Sequence, residues 1–269
     1  MAVTDAGRAL TEAHRLEQAR IGVQTARQLR SLWALLNAEG RTPTVDEWLG
    51  AVTTVLGRQH GLSAAAARDY YSAFRLAEIG EAGFAARGIP TLNLEAVRAS
   101  MVATGPYRLR QGIRRGLTVE EASQRAMISS AGEGVRIALD GGRQQIIRNV
   151  QADSRALGWV RVTDGDPCAF CAMLASRGPV FKGRATAIAG TVFSTSVNDY
   201  RAHARCGCTA EPVYRADTEW PGRAREFHDL WNRAQQKARS DPEWASSGTK
   251  NDALNNFRKL LERGSSGDS

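Results

Sequence analysis

The chain has 269 residues, 42% of them hydrophobic and 24% charged, an ordinary globular composition with room for one large domain or two smaller ones. Aromatic residues at 7% favour helices packed through Ala, Leu and Val over a β-sandwich. A net charge of +8 and a pI near 9.8 point to an acidic partner, nucleic acid first, or to an Arg-rich solvated surface.

No stretch approaches the ~18 uncharged apolar residues of a membrane span. The segment MAVTDAGRALTEAHRL shows no apolar core of a signal peptide. A cytoplasmic protein is therefore expected, in which clustered thiols read as metal ligands before they read as disulfides.

In chain order, a long helix is predicted from Asp5 to about Asn37, with Leu16, Ala19, Val23, Ala26, Leu29, Trp33 and Leu36 as its buried stripe. Thr44 and Glu47 form a capping-box pattern for a second helix to about Leu56. Ser63 is placed as the cap of a third, and GEAGFAARGIP ends it. Asn93 opens a fourth, interrupted near Gly105-Pro106. Thr118 with Glu121 is another capping box, starting a helical segment to about Leu157 with breaks expected at Gly132–Gly134 and Gly141-Gly142. Trp33, Trp48, Tyr70, Tyr71 and Phe74 read as core anchors.

The texture then changes. Short β-prone pieces at 159–163, 179–181, 191–194 and 210–214 are separated by turn residues. Helix returns from Arg225 to about Arg239, then an amphipathic end bears Leu254, Phe257, Leu260 and Leu261 before a flexible GSSGDS tail. The expected fold is mainly α with a small zinc-stabilised α+β module. Its parts are a helical N-terminal region (1–157), a Cys/His-clustered α+β module (158–215) and a helical C-terminal tail (216–269).

All four cysteines lie in two tight clusters, placed among the strands. Cys168 and Cys171 form a C-x-x-C after the turn-setting Asp166-Pro167; His203, Cys206 and Cys208 form an H-x-x-C-x-C. These five donors compete for the four positions of a tetrahedral zinc, and closed coordination by thiolates makes such a site structural. The preferred set is Cys168, Cys171, His203 and Cys206, with Cys208 competing for the place of His203 or Cys206. Two disulfides, or unliganded thiols, are the alternatives. A redox C-x-x-C lacks its thioredoxin-like context.

DGDPCAFCAMLASRGPVF, followed by Tyr200, the H-x-x-C-x-C and Pro212, resembles the phage Mu F-like minor head proteins, most nearly the actinobacterial-phage branch often labelled capsid maturation protease. The N-terminal ALTEAHRLEQARIGVQTARQLRSLW looks like that branch too. The resemblance implies a minor capsid protein of the procapsid interior, close to the portal. It implies portal, capsid or scaffold proteins as partners, and residence in the virion after assembly in the host cytoplasm. Packaged DNA, met without sequence preference, fits the basic charge, and Arg108, Arg110, Arg114 and Arg115 form the best local basic patch.

Peptidase machinery is harder to find. His14, His60 and His228 fall in or beside predicted helices, and no G-x-S-x-G elbow or H-E-x-x-H helix is present. A dyad of Cys168 or Cys171 with His203 would compete with the metal for the same atoms. A zinc hydrolase would need an open position and a carboxylate base, for which Asp164, Asp166 and Glu211 are the candidates.

Overall fold

The computed structural model describes residues 2–36, 45–81, 84, 86–181, 203, 204, 206–216, 220–240 and 252–265. Its elements are α1 (Asp5–Leu32) with a 3-10 turn at Trp33–Leu36, α2 (Val45–Ile79), α3 (Leu94–Thr104), α4 (Pro106–Arg114) and α5 (Val119–Ala152). Then follow β1 (Gly158–Val162), α6 (Ala169–Ala175), β2 (Val180–Phe181), β3 (Thr209–Val213), α7 (Ala224–Ser240) and α8 (Asp252–Ser265). Thr44, the piece at 191–194 and Tyr200 lie outside the described residues.

Three long helices, α1, α2 and α5, pack side by side. Gln18 against Ser63 and Trp33 against Trp48 set α1 antiparallel to α2. Leu56 against Gly134 and Ser63 against Gly142 set α2 and α5 parallel. Leu29, Trp33, Trp48, Val52, Leu56, Met101 and Ile137 fill one end of the bundle.

The predicted stripe of α1 holds at Leu29 and Trp33 but is corrected over the earlier turns. Leu16 is 54% and Val23 61% exposed, whereas the buried face carries Thr11, His14, Gln18, Ile21, Thr25 and Leu29. Polar residues hold this face because their bonds are made inside. Ser63 donates to Gln18 Oε1 at 2.6 Å, and the Thr25 hydroxyl donates to the Ile21 carbonyl at 2.8 Å.

Two other expectations give way for one reason. The second and third helices are a single α2, and α5 runs unbroken through both glycine groups. Leu56, His60, Ala64, Ala67, Tyr71 and Phe74 continue one buried row at gaps of three and four, so Ser63 lies mid-helix and caps nothing. The α5 glycines are sites of close approach. A Cβ on Gly134 would strike Leu29, one on Gly141 would strike the His60 carbonyl, and one on Gly142 would meet Ser63 Oγ at 2.8 Å. Tertiary contact outweighs the cost of about 1 kcal/mol per helical glycine.

The caps at Asn93 and Thr118 are local chemistry and match expectation. Asn93 Oδ1 accepts the Ala96 N–H at 3.0 Å. Thr118 Oγ1 accepts from Glu121 N at 3.2 Å while Glu121 Oε2 accepts from Thr118 N at 3.1 Å.

The three strands form an antiparallel sheet in the order β2-β1-β3, with Gly158 opposite both Phe181 and Val213. The sheet docks on the bundle through Trp159 and Ala210, which join Tyr70, Tyr71, Phe74, Ile146, Ile147 and Val150. Separately, Met173 and Ala172 of α6 pack with Phe227 and Leu230 of α7 and Phe257 of α8. Among the described residues, no helix is long and apolar enough to cross a membrane.

His14 makes the bundle acid-sensitive. It is buried and stacks on Tyr70, with ring centroids 4.4 Å apart and planes 7° from parallel. Burial lowers its pKa to about 4, against a small opposing effect of Glu17. The unfolded chain therefore takes up this proton first, near the ordinary value of ~6.5. Stability from neutral His14 is complete above that pH and is lost as pH falls towards about 4, by up to about 3 kcal/mol. His14→Phe keeps the stack and should show a smaller fall in unfolding midpoint between neutral and weakly acidic buffer. An unchanged fall would refute the assignment.

Candidate metal centre

Cys168 and Cys171 stand at the opening of a helix. Ala169–Ala175, AFCAMLA, is dominated by the strong helix formers Ala, Met and Leu, with Cys168 in extended conformation as its N-cap residue. This corrects the expectation that the thiols stand among strands: Cys171 lies in the first turn of α6. The other cluster lies on the segment entering β3.

The structure brings all five donors together. Cys168 Sγ is 2.9 Å and Cys171 Sγ 3.3 Å from His203 Nε2, and Cys171 Sγ is 3.5 Å from Cys206 Sγ. The donor atoms form two overlapping groups, Cys168–Cys171–His203 and Cys171–Cys206–Cys208, each lying mutually within 4.8 Å. Cys171 belongs to both. Cys171, Cys206 and Cys208 are buried, Cys168 is exposed, and no two cysteines are bonded to each other. Phe170 covers the cluster, packing against the buried thiols and meeting the His203 ring edge-on at 6.0 Å. Met173 and Leu174 instead face α7 and α8.

These residues fit a thiophilic ion. A tetrahedral site with Zn–S near ~2.3 Å sets its sulfurs about 3.8 Å apart, close to the 3.5 Å between Cys171 and Cys206. His203 Nδ1 lies 2.6 Å from the Ala204 carbonyl. A proton held there leaves the Nε2 lone pair facing the thiols, the tautomer that metal-ligating histidines adopt.

Thiol acidity is split across the cluster. Contact with Cys171, aided by His203, lowers Cys168 to about 5 against the effect of burial. Contacts with Cys171 and Cys208 depress Cys206 strongly, and the charges of Arg143 and Arg161 add to this. Cys171 is pushed up by its contacts with Cys168 and Cys206. Contact with Cys171 lowers Cys208, but Cys206 and burial outweigh it and raise it to about 12. A metal would replace those last two protons.

Arg143 was not legible as part of this site. It is 2% exposed, and from α5 its Nε donates to the Cys208 carbonyl at 3.0 Å while Nη2 donates to the Cys206 carbonyl. Asp140 Oδ1 holds Nη1 at 2.9 Å. In sequence Arg143 follows Gly141-Gly142, which reads as a break; in the fold it ties the thiol-bearing segment to the bundle.

The three carboxylates separate. Glu211 Oε1 accepts from Ala2 N at 2.9 Å and Oε2 from the Thr11 hydroxyl at 2.6 Å, so it serves the contact between β3 and α1. Asp164 Oδ2 accepts from Gly207 N at 3.2 Å, and burial with the nearby Cys206 charge raises its pKa. Asp166 is exposed. Of the other histidines, His14 and His60 are buried in the bundle, and His228 Nδ1 lies 3.0 Å from the Ser176 carbonyl.

Fold and site together define a helical-bundle protein with a small three-stranded sheet and a thiol-rich cluster able to hold a metal ion. The chain belongs to the VG15 protein family, whose model matches residues 5–234. It is 26% identical over 252 residues to the Gene 15 protein of Mycobacterium phage D29, covering 82% of this chain and 88% of that protein. The family is one of bacteriophage proteins. No solved structure matches the chain.

Proposed function

We propose that the protein is a minor capsid protein of the phage head, Mu F-like in kind, acting inside the procapsid near the portal, and that its thiol cluster holds one structural zinc ion. The convergence of the C-x-x-C of α6 with the H-x-x-C-x-C before β3 carries this reading. Membership of a phage family and the motif resemblance support the head role. The ion would lock α6, and with it α7 and α8, to a sheet of three short strands whose own core, among the described residues, is the small cluster of Val160, Phe181 and Val213 with Leu157 and Trp220 against it. Portal, capsid or scaffold proteins are the partners this reading names. The net charge of +8 is compatible with non-specific contact to packaged DNA.

One observation favours a second reading, a capsid maturation peptidase. Cys168 is exposed and its sulfur lies 2.9 Å from His203 Nε2, the arrangement of a thiol nucleophile beside its base. His203→Cys separates the two, because it keeps a zinc donor and removes the base. Co-expression with the major capsid and scaffold proteins, with zinc content and the mass of every chain measured, should show metal and head assembly largely retained. A folded, zinc-loaded variant in which capsid or scaffold cleavage disappears would instead establish the peptidase.

A further inference from the structure

The segment PYRLRQGIRR folds as α4, which carries Arg108, Arg110 and Arg114, with Arg115 as its C-cap, and no acidic residue. Several arginines elsewhere are neutralised close by: Arg15 by Glu12, Arg20 by Glu17, Arg136 by Glu133 and Asp140. Among the described residues, no ion pair engages Arg108 or Arg115. Their charge faces outward.

Beneath that charge lies apolar surface. A Cβ on Gly112 would meet the Ala122 Cβ at 2.8 Å, so α4 approaches α5 closely at this point. Alongside the crossing a groove of about 380 Å³ opens, with Ala103, Leu117 and Ala122 in its wall and floor. Arg108, Arg115 and Arg125 line the same groove, and the ring of Tyr107, 51% exposed, stands at its side. This volume is within the ~300–1,000 Å³ of pockets that bury organic groups.

We propose that this groove docks an amphipathic helix of a partner protein, with an apolar side chain in the groove and carboxylates on either side of it. Apolar anchors at helical spacing match a hydrophobic groove, and three arginines around it select flanking Asp or Glu. Tyr and Arg at the margin are the residue types that concentrate binding energy at interfaces. Duplex DNA would use the arginines but keeps the faces of its bases stacked within the helix, away from the apolar floor, and the floor makes a protein the better occupant. The inference rests on the groove and its charges, and stands whether or not the protein acts in the phage head.

The test selects binders from a library of short helix-constrained peptides, using the full-length protein. Enriched peptides should carry Leu, Ile or Phe at helical spacing flanked by Asp or Glu. Arg108→Glu with Arg115→Glu should weaken the best peptide about tenfold or more. Both side chains are exposed, so this variant should fold normally. Ala103→Trp, which fills the groove without changing its charge, should weaken it comparably. A short duplex DNA should not compete. The proposal is overturned if selection yields no acidic–apolar pattern, if Ala103→Trp leaves binding unchanged, or if duplex DNA displaces the peptide and responds to the charge reversals alone.

Discussion

Serine in place of Cys171 is expected to abolish metal binding, and more completely than serine at Cys168 or Cys208. Cys171 is common to both donor groups, whereas each of the other two belongs to one. A tetrahedral ion needs four donors, so it must draw on both groups. Losing the shared thiolate should reduce metal affinity by more than the ~10–100-fold that outer-shell changes cost. The unmetallated variant should lose near-UV dichroism from the α6–β3 region. It should keep far-UV helicity, since α1, α2 and α5 have their own core. Metal content per chain, compared across the three serine variants, is the measurement. A Cys171→Ser protein that retains a full equivalent of zinc would rule out the shared-ligand arrangement.

Removing the carboxylate of Asp153 should be the most destabilising single change in the bundle. Asp153 is the C-cap of α5, its side chain only 1% exposed. Its Oδ2 accepts from Arg75 Nε at 2.9 Å, Tyr71 OH at 3.1 Å and Tyr214 OH at 3.2 Å. Its Oδ1 accepts from Arg155 N at 3.0 Å. Asp153→Ala leaves the nearly buried Arg75 guanidinium without its main acceptor and strips two phenols of theirs. Breaking a buried pair in this way costs about 3–5 kcal/mol. Glu81, bonded to Arg75 at 3.2 Å, offsets part of that.

The same carboxylate has a pH signature. Burial alone would raise its pKa, but the bond and charge of Arg75, with the Arg155 N–H and Tyr71, hold it below the ordinary range. A depressed folded pKa contributes stability that is complete above the unfolded value of ~3.9 and is lost as pH falls through the folded one. This acid limb lies below that of His14. Chemical denaturation of Asp153→Ala and Asp153→Asn at neutral and strongly acid pH should show a large deficit at neutral pH that shrinks in acid. A deficit independent of pH would mean that the side chain acts by shape alone.

Much of the local structure was legible in the sequence because it depends on neighbours a few residues apart. Asn93, the Thr118–Glu121 box and the Gly105-Pro106 break are short-range chemistry, and they set the starts of α3, α4 and α5. The alternation around Trp159 and Pro212 marked β1 and β3 to within a residue. The C-x-x-C and H-x-x-C-x-C were likewise visible as metal-donor spacings, and the structure brings their donor atoms together.

Three features were decided only by tertiary contact. The buried face of α1 is lined by Thr11, His14, Gln18 and Thr25, so hydrophobicity pointed to the wrong side from Leu16 to Val23 and to the right one only at Leu29 and Trp33; Ser63, Tyr70 and Glu211 make that polar face inexpensive to bury. Glycines that read as helix breaks in α5 are the points where α1 and α2 come close, and a broken helix would forfeit those contacts. Arg143 acquires its place at the thiol cluster only because α5 continues unbroken through Gly141-Gly142 and carries its guanidinium to the Cys206 and Cys208 carbonyls. Spacing along the chain determined which atoms can bind a metal. Packing between helices determined what holds those atoms in place, because a backbone carbonyl some sixty residues away leaves no mark in the local pattern.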